Sequence, residues 1–441
     1  SIEWVIDEWN PQCLERMFSL NQFFIDSYVT IPVLKSTRWN DCLIPQLLEV
    51  YEEIHLAFGY HRDPGDSYLN CHEVHQLIKK LKARFPKHRF QPPKGVDLWD
   101  HRARDDFDME PYLFPCFETR SLRPKPHFSV IIPTFNNQNH LRVVLRHLYQ
   151  QNVGLDQFEV IVVDDGGTDQ TLPLVMELLK TFDRSMNFKY IFFPRARKRV
   201  MGDSQYRAGI SRNLGVKNAV GDILCFLDSD IITPPDYLEK VEKELQQWDA
   251  LQAKRINLSQ PASHLNFNYT DCQKDRDCIP DEAYWEKFLE TEDWHLMPYN
   301  WKYVCTHSFS MRKELFWKVG GLKRNFIYYG FEDTDLGYRL VRGGYRLKLL
   351  DLEVFHMFHE NTRSEFMNLS SLRHSLLCRT AQIFYLHHLD EDIYENLRGY
   401  MDPEPTLSRL VKSAMQKGRL EFLWKSRPAV FQSIKGCQPH A

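Results

Sequence analysis

A series of short β-branched runs, each ending in turn-forming or acidic residues and each followed by a helical stretch, constrains this chain more than any other feature. Phe128-Ser129-Val130-Ile131-Ile132 is nearly all apolar and is stopped by Pro133, which predicts a strand buried on both faces. Residues 139–151 then place Leu141, Val144, Leu145 and Leu148 on one helical face. A second buried strand, residues 158–163, is stopped by Asp164-Asp165-Gly166-Gly167. Residues 171–179 are expected to be helical, 188–193 a strand, 210–219 helical, and 222–227 a strand that ends in Asp228-Ser229-Asp230. This rhythm predicts an α/β fold, a mostly parallel sheet sandwiched by helices, in which ligands bind at the carboxyl ends of the strands. One acidic cluster at a strand end is ordinary turn chemistry. Two such clusters at strand ends point to a shared ligand.

The flanks have a different texture. Residues 1–120 are expected to be a mainly helical region and connector: Leu43, Leu47, Leu48, Tyr51 and Ile54 recur at helical spacing, as do Val74, Leu77, Ile78 and Leu81. Pro92, Pro93, Pro111, Pro115, Pro124 and Pro126 mark an extended connector. The catalytic unit is expected over 121–365, with one half at 128–235 and the other at 300–365, and a helical extension over 366–441. From Thr406 onward the tail carries Arg409, Lys412, Lys417, Arg419, Lys425, Arg427 and Lys435. A solvated helical face is the default reading of that charge; a peripheral membrane contact or an acceptor patch is the sharper one.

Composition narrows the class. With 441 residues the chain has room for two or three units. Its formal net charge of -3 gives no global electrostatic case for nucleic acid. No run of about 18 apolar residues is present, so no segment is expected to span a bilayer. The N-terminus lacks the basic start and apolar stretch of a secretory signal. The 10 cysteines are scattered, and Cys272 and Cys278, the closest pair, lack zinc-site spacing. Free thiols and a cytoplasmic location are the expectation. Nothing in the sequence chooses an oligomeric state.

Three motifs carry chemistry. Asp228-Ser229-Asp230, leaving a buried strand, can share one hard divalent cation, Mn²⁺ or Mg²⁺, between its two carboxylates. Such an ion would neutralise charge on a departing diphosphate. Downstream, Gly330-Phe331-Glu332-Asp333-Thr334-Asp335 opens an amphipathic helix, where the dipole and free amides favour an anion at Asp333. A carboxylate there could accept a hydroxyl proton, although acidic residues in a first turn are also common caps. Finally, a strand-like run over 347–354 leads into His356 and His359. Mn²⁺ accepts mixed imidazole and carboxylate ligands.

Taken in order, Ser129-Val130-Ile131-Ile132-Pro133-Thr134-Phe135-Asn136, Val162-Val163-Asp164-Asp165-Gly166-Gly167, Ser211-Arg212-Asn213-Leu214-Gly215 and Asp228-Ser229-Asp230 resemble the family-2 glycosyltransferases of the GT-A fold. The Glu332-Asp333 segment resembles the acceptor-side motif of inverting GT-A enzymes, notably galactosyltransferases and chondroitin-type polymerases. Those enzymes usually carry Trp-Gly-Gly before the acidic pair, where this chain has Tyr329-Gly330-Phe331, so its acceptor pocket is expected to differ. The resemblance implies transfer of a sugar from a nucleotide-sugar, a UDP-sugar first, to a saccharide or glycoconjugate acceptor. It implies that Pro133, Thr134 and Phe135 line the nucleoside pocket, that Asp165 reads the base with Asp164 beside it, and that Arg212 lies near the donor. Asp228, Ser229 and Asp230 would hold ribose and metal, Asp230 being the surer metal ligand. His359, or second His356, would complete the metal site. Asp333 would be the base and Glu332 would orient the acceptor.

Two alternatives stand beside this reading. A nucleotidyltransferase would want a glycine-rich phosphate loop after the first strand, where Thr134-Phe135-Asn136-Asn137 has none. A non-catalytic nucleotide-sugar-binding relative would be expected to have lost the Asp-x-Asp or the base. A dehydrogenase is disfavoured, since no Gly-x-Gly-x-x-Gly follows a strand. Residues 248–301, rich in Trp, Tyr and Asn, suit sugar contact or ordinary packing equally, and the basic segment 195–207 suits a loop over a diphosphate or a solvated loop.

Overall fold

The structure, a computed structural model, describes residues 2–5, 27–32, 53–57, 71–91, 115–119, 125–182, 186–194, 207–261, 269–274, 294–324, 326, 330–358 and 370–401. The N-terminal region holds β1 (Ile2–Val5), β2 (Ser27–Pro32), β3 (Glu53–Ala57), α1 (Cys71–Arg84) and β4 (Arg89–Gln91). The four strands form one parallel sheet in the order β1-β2-β3-β4. Among the described residues this sheet stands beside the single helix α1, where sequence spacing pointed to helices alone. Helical spacing does mark α1, where Val74, Ile78 and Leu81 are buried. Ile54, assigned by spacing to another helix, instead pairs with Val29 on one side and Phe90 on the other. Ladder bonds to distant strands override a local periodicity that is blind to them. Leu43, Leu47, Leu48 and Tyr51 lie outside the described residues.

The main sheet is built from β5 (Phe117–Glu118), β6 (Phe128–Thr134), β7 (Phe158–Asp164), β8 (Asn187–Phe192), β9 (Ile223–Leu227), β10 (Ile231–Ile232), β11 (Ala250–Pro261), β12 (Ser308–Arg312) and β13 (Leu347–Phe358), in the order β10-β13-β11-β12-β9-β6-β7-β8-β5. Its helices are α2 (Gln138–Tyr149), α3 (Thr171–Thr181), α4 (Ala208–Asn218), α5 (Tyr237–Glu244), α6 (Tyr269–Lys274), α7 (Lys313–Lys318), α8 (Glu332–Arg342), α9 (Ser370–His388) and α10 (Glu391–Asn396). Strands β8, β7, β6 and β9 are mutually parallel, and β11 runs parallel to β13. This is the mostly parallel, helix-covered sheet that the strand–helix rhythm predicted.

Alternation explains the two cores. Ile131, Ile161, Val163 and Ile191 face one layer with Ile210 and Leu214 of α4 and Leu336 and Leu340 of α8. Val130, Ile132, Val160 and Val162 face the other, with Leu141 and Leu148 of α2 and Leu174 and Leu178 of α3. Strands buried on both faces therefore read as continuous apolar runs. Helix α4 lies tight on the sheet because position 215 is glycine: a Cβ there would come within 2.5 Å of Ile131 Cγ2. Helix α8 is seated the same way, since a Cβ on Gly337 would meet the Trp301 carbonyl at 2.8 Å.

Two boundaries differ from the sequence reading. Pro133 does not stop β6, which runs on to Thr134, pairing Pro133 with Val163. Pairing with β9 ends at Ile131, so the missing proline N–H faces no ladder. The segment over 248–301 contributes β11, seated between β12 and β13, which sequence texture did not reveal. Cys272 is a buried free thiol, and Cys278 lies outside the described residues. Among the described residues no helix is long and apolar enough to cross a membrane. Residues from 402 onward, including the basic tail, lie outside them.

Candidate active site

The chain runs β6, β7, β8 outward and then returns to β9 on the far side of β6, so the strand order reverses between β6 and β9. The carboxyl ends of parallel strands at such a reversal open a crevice. Thr134 and Asp228 emerge there, one from each strand.

On the β6–β7 side the acidic pair is held by the protein. Asp164 accepts hydrogen bonds from Gly167 N at 2.7 Å and from the Tyr190 hydroxyl at 2.5 Å, and burial raises its pKa. Asp165 is buried against Arg207, whose Nε and a terminal nitrogen reach it at 2.7 and 2.6 Å. The Arg207 guanidinium lies 4.0 Å from the centre of the Phe193 ring and donates to the Phe193 carbonyl at 2.8 Å. Pro133 and Phe135 are half-buried beside them, and Thr134 is buried with its carbonyl accepting from Asp165 N at 2.8 Å. Asn136, in the left-handed region at φ 49°, ties the two loops by accepting from Thr168 N at 2.7 Å. Neither Tyr190 nor Arg207 was singled out as a partner for these carboxylates. Only the fold brings residues 26 and 42 positions apart together.

The Asp-x-Asp is pinned through its main chain. Asp228 N donates to the His307 carbonyl at 3.0 Å, and Met357 N to the Asp230 carbonyl at 2.9 Å. Ser229 is buried and accepts from Asn137 Nδ2 at 2.9 Å. The Asp228 carboxylate takes a bond of 2.5 Å from Arg212, which is buried on α4. Burial alone would lower the Arg212 pKa, but Asp228, Asp333 and Glu332 outweigh it and raise it. One guanidinium thus serves carboxylates from both halves of the site.

Asp230 Oδ2 lies 3.6 Å from His356 Nε2, a carboxylate and an imidazole nitrogen close enough to approach one ion. Asp228 does not complete the set in this geometry. Among the described residues, Asp228, Asp230 and His356 do not bring their ligand atoms within 4.8 Å of one another. His359 lies outside the described residues, so only His356 of the two histidines has a described position. The carboxylate and imidazole of Asp230 and His356 are donors of the kind that would suit a borderline divalent cation.

Helix α8 brings up the acceptor-side acids. Phe331, at φ 68°, turns the chain into the helix, and a side chain at Gly209 of α4 would have Glu332 Cγ 3.6 Å away. Glu332 has its pKa pushed up to about 8, by burial first and then by the Asp333 charge. Burial also raises the pKa of Asp333, against the pull of Arg212 and Thr306. Asp333 accepts from Thr306 N at 3.0 Å and from the Thr306 hydroxyl at 2.7 Å. Behind them Asp335 is fully buried between Arg339 at 2.6 Å and His388 at 2.7 Å. Arg339 in turn donates to the Gly321 carbonyl at 2.7 Å, so α8 is fastened from below. Thr306, set between Cys305 and His307 in a mixed run, carries no sequence signal of its own.

The Glycosyl transferase family 2 profile matches residues 129–320, and the profile for the N-terminal domain of galactosyltransferase matches 288–361. Validoxylamine A glucosyltransferase of Streptomyces hygroscopicus subsp. jinggangensis is 28% identical over 235 residues, covering 50% of this chain and 52% of the relative. Chondroitin synthase of Pasteurella multocida is 26% identical over 245 residues, 51% of this chain and 24% of that one. The chain thus spans about half the length, or less, of these relatives. Among solved structures, the mannosyltransferase PcManGT of Pyrobaculum calidifontis, in complex with GDP-Man and Mn²⁺, aligns with TM-score 0.41 at 15% identity over 75% of this chain and 91% of its own. S. aureus TarS 1-349 with UDP aligns with TM-score 0.39 at 18% identity, over 61% and 68% respectively. Residues 129–320 are thereby identified as a domain of glycosyl transferase family 2, a family of transferase enzymes.

Proposed function

We propose that this protein is a metal-dependent, inverting glycosyltransferase that moves a sugar from a nucleotide-sugar, a UDP-sugar first, to a hydroxyl of a saccharide or glycoconjugate. The observation that carries the reading is the convergence on Arg212 of Asp228, from the end of β9, with Glu332 and Asp333, from the start of α8. That electrostatic link supports a reading with a leaving-group side at Asp228 and a proton-accepting side at Asp333.

In the proposed reaction the acceptor oxygen attacks the anomeric carbon while its proton passes to Asp333. The bond from that carbon to the diphosphate breaks on the opposite face, its electron pair leaves with the diphosphate oxygen, and configuration inverts. Asp333 then returns the proton to solvent. Glu332, close to half protonated near pH 8, can donate a hydrogen bond to the acceptor or receive one. Arg212 sits where it can follow charge from Asp228 toward the leaving diphosphate. A divalent cation held by Asp230 and His356 would supply charge neutralisation at the diphosphate. Mn²⁺ suits the mixed donors, and Mg²⁺ is the alternative. The free thiols favour a cytoplasmic setting.

The test is a screen of nucleotide-sugars with and without Mn²⁺, reading nucleoside diphosphate release. Release from one donor class that requires metal, and that Asp230→Ala abolishes by removing a carboxylate ligand, is expected. Metal-independent release, or an unaltered Asp230→Ala enzyme, would count against the metal assignment.

A further inference from the structure

The stretch 305–308, entering β12, touches both halves of the site at once. Thr306 donates twice to Asp333, through its amide at 3.0 Å and its hydroxyl at 2.7 Å, reaching one carboxylate oxygen with each. The next residue, His307, offers its carbonyl to Asp228 N at 3.0 Å. One residue earlier, Cys305 N donates to Gln252 Oε1 at 2.8 Å, and Gln252 is fully buried on β11. Consecutive backbone units therefore tie the acid of α8, the Asp-x-Asp after β9 and the neighbouring strand into one rigid frame. Thr306 is itself fully buried.

We infer that Thr306 is a positioning residue for the proposed base, its hydroxyl and amide clamping the two Asp333 oxygens so that the remaining lone pairs point at the acceptor. The inference rests on Asp333 being the base. Two donors to one carboxylate remove its freedom to rotate, and orientation is where a general base gains or loses rate. The hydroxyl also favours the ionised form, the form that accepts a proton. The charged and titratable groups around Asp333 are Arg212 from α4, Asp228 after β9, Cys305 before β12 and Glu332 on its own helix. Among the described residues, the neutral side chain that donates to Asp333 is Thr306.

The test compares Thr306→Val, which keeps shape and amide but removes the hydroxyl, with Thr306→Ser, which keeps the hydroxyl. Hydrolytic release of UDP from a panel of UDP-sugars with Mn²⁺ serves as the assay, and calorimetric binding of UDP with Mn²⁺ as the control. Thr306→Val is expected to lower kcat by roughly 10- to 100-fold, the range of one hydrogen bond to a charged group. Donor KM and UDP affinity stay unchanged, and the acid limb of the kcat profile moves to higher pH. Thr306→Ser recovers most of the rate. Equal kcat and an unmoved acid limb in Thr306→Val would overturn the inference. So would a Thr306→Ser as slow as the valine variant, or a parallel loss of UDP affinity, because either makes Thr306 a packing residue. Undiminished turnover by Asp333→Asn separates the other failure: the base itself is then misassigned and Thr306 has nothing catalytic to hold.

Discussion

Glu159 and Asp333 are both acids on the same α/β framework, and their surroundings are opposite. Glu159, near the amino end of β7, is almost fully buried and answered on all sides. Lys189 reaches it at 2.8 Å, the Ser129 hydroxyl at 2.6 Å and Val220 N at 2.6 Å. The Lys189 ammonium also holds the Asn218 carbonyl at 2.7 Å, so the network closes on itself. At the carboxyl ends of the strands, Asp228, Glu332 and Asp333 share Arg212. At one end a single carboxylate is answered by several donors, whereas at the other three carboxylates act on one buried guanidinium. A closed network locates a strand; an open one leaves room for a cation and a proton.

The comparison breaks first at Asp333. Asp333→Asn is expected to cut turnover by about a thousandfold, the middle of the range for general-base catalysis, while melting temperature and nucleotide affinity hold. If turnover persists, the open end is not where the proton goes. The converse change is Glu159→Ala, which strands a half-buried Lys189 and should cost about 3 kcal/mol of stability in denaturant titration. Activity per folded molecule should be unaltered, and a selective loss of kcat would show that the closed network also serves the chemistry.

The finest discrimination is Glu332→Gln. A carboxyl with its pKa raised to about 8 stays protonated in the folded protein where the unfolded chain, near its ordinary value, is ionised. The folded state then holds the extra proton, so stability is lost as pH climbs from the ordinary glutamate range through about 8. Glutamine has no proton to lose. The variant's melting temperature should gain on the parent's between pH 5 and pH 8.5 in metal-free buffer, and parallel curves would contradict the raised value.

Much of the catalytic half was legible because its signals are local. Apolar runs such as 158–163, buried on both faces, named the strands, and the acids that ended them marked the crevice. The N-terminal region shows the limit. Ile54 fits a helical spacing, yet it is in a strand held by β2 and β4, residues far away in sequence. Strand β11 escaped for the same reason, its partners being β12 and β13. Within the site, Asp164 and Asp165 were marked by position at the end of β7, but not that Tyr190 and Arg207 engage them.

What residue order determined by itself is which groups arrive at the crevice: an acid pair at the end of β7, the Asp-x-Asp after β9 and the Glu332-Asp333 pair opening α8. Each follows from where a buried run or an amphipathic helix must begin or end. What the tertiary structure decided is how those groups face one another. Arg212 bonds Asp228 and feels the charge of the α8 acids, Thr306 holds Asp333, and Asp230 meets His356. The division has a simple cause. Periodicity and turn chemistry act over a few residues, whereas pairing of Asp228 with Arg212, or of Asp333 with Thr306, requires a sheet and helices to be packed first.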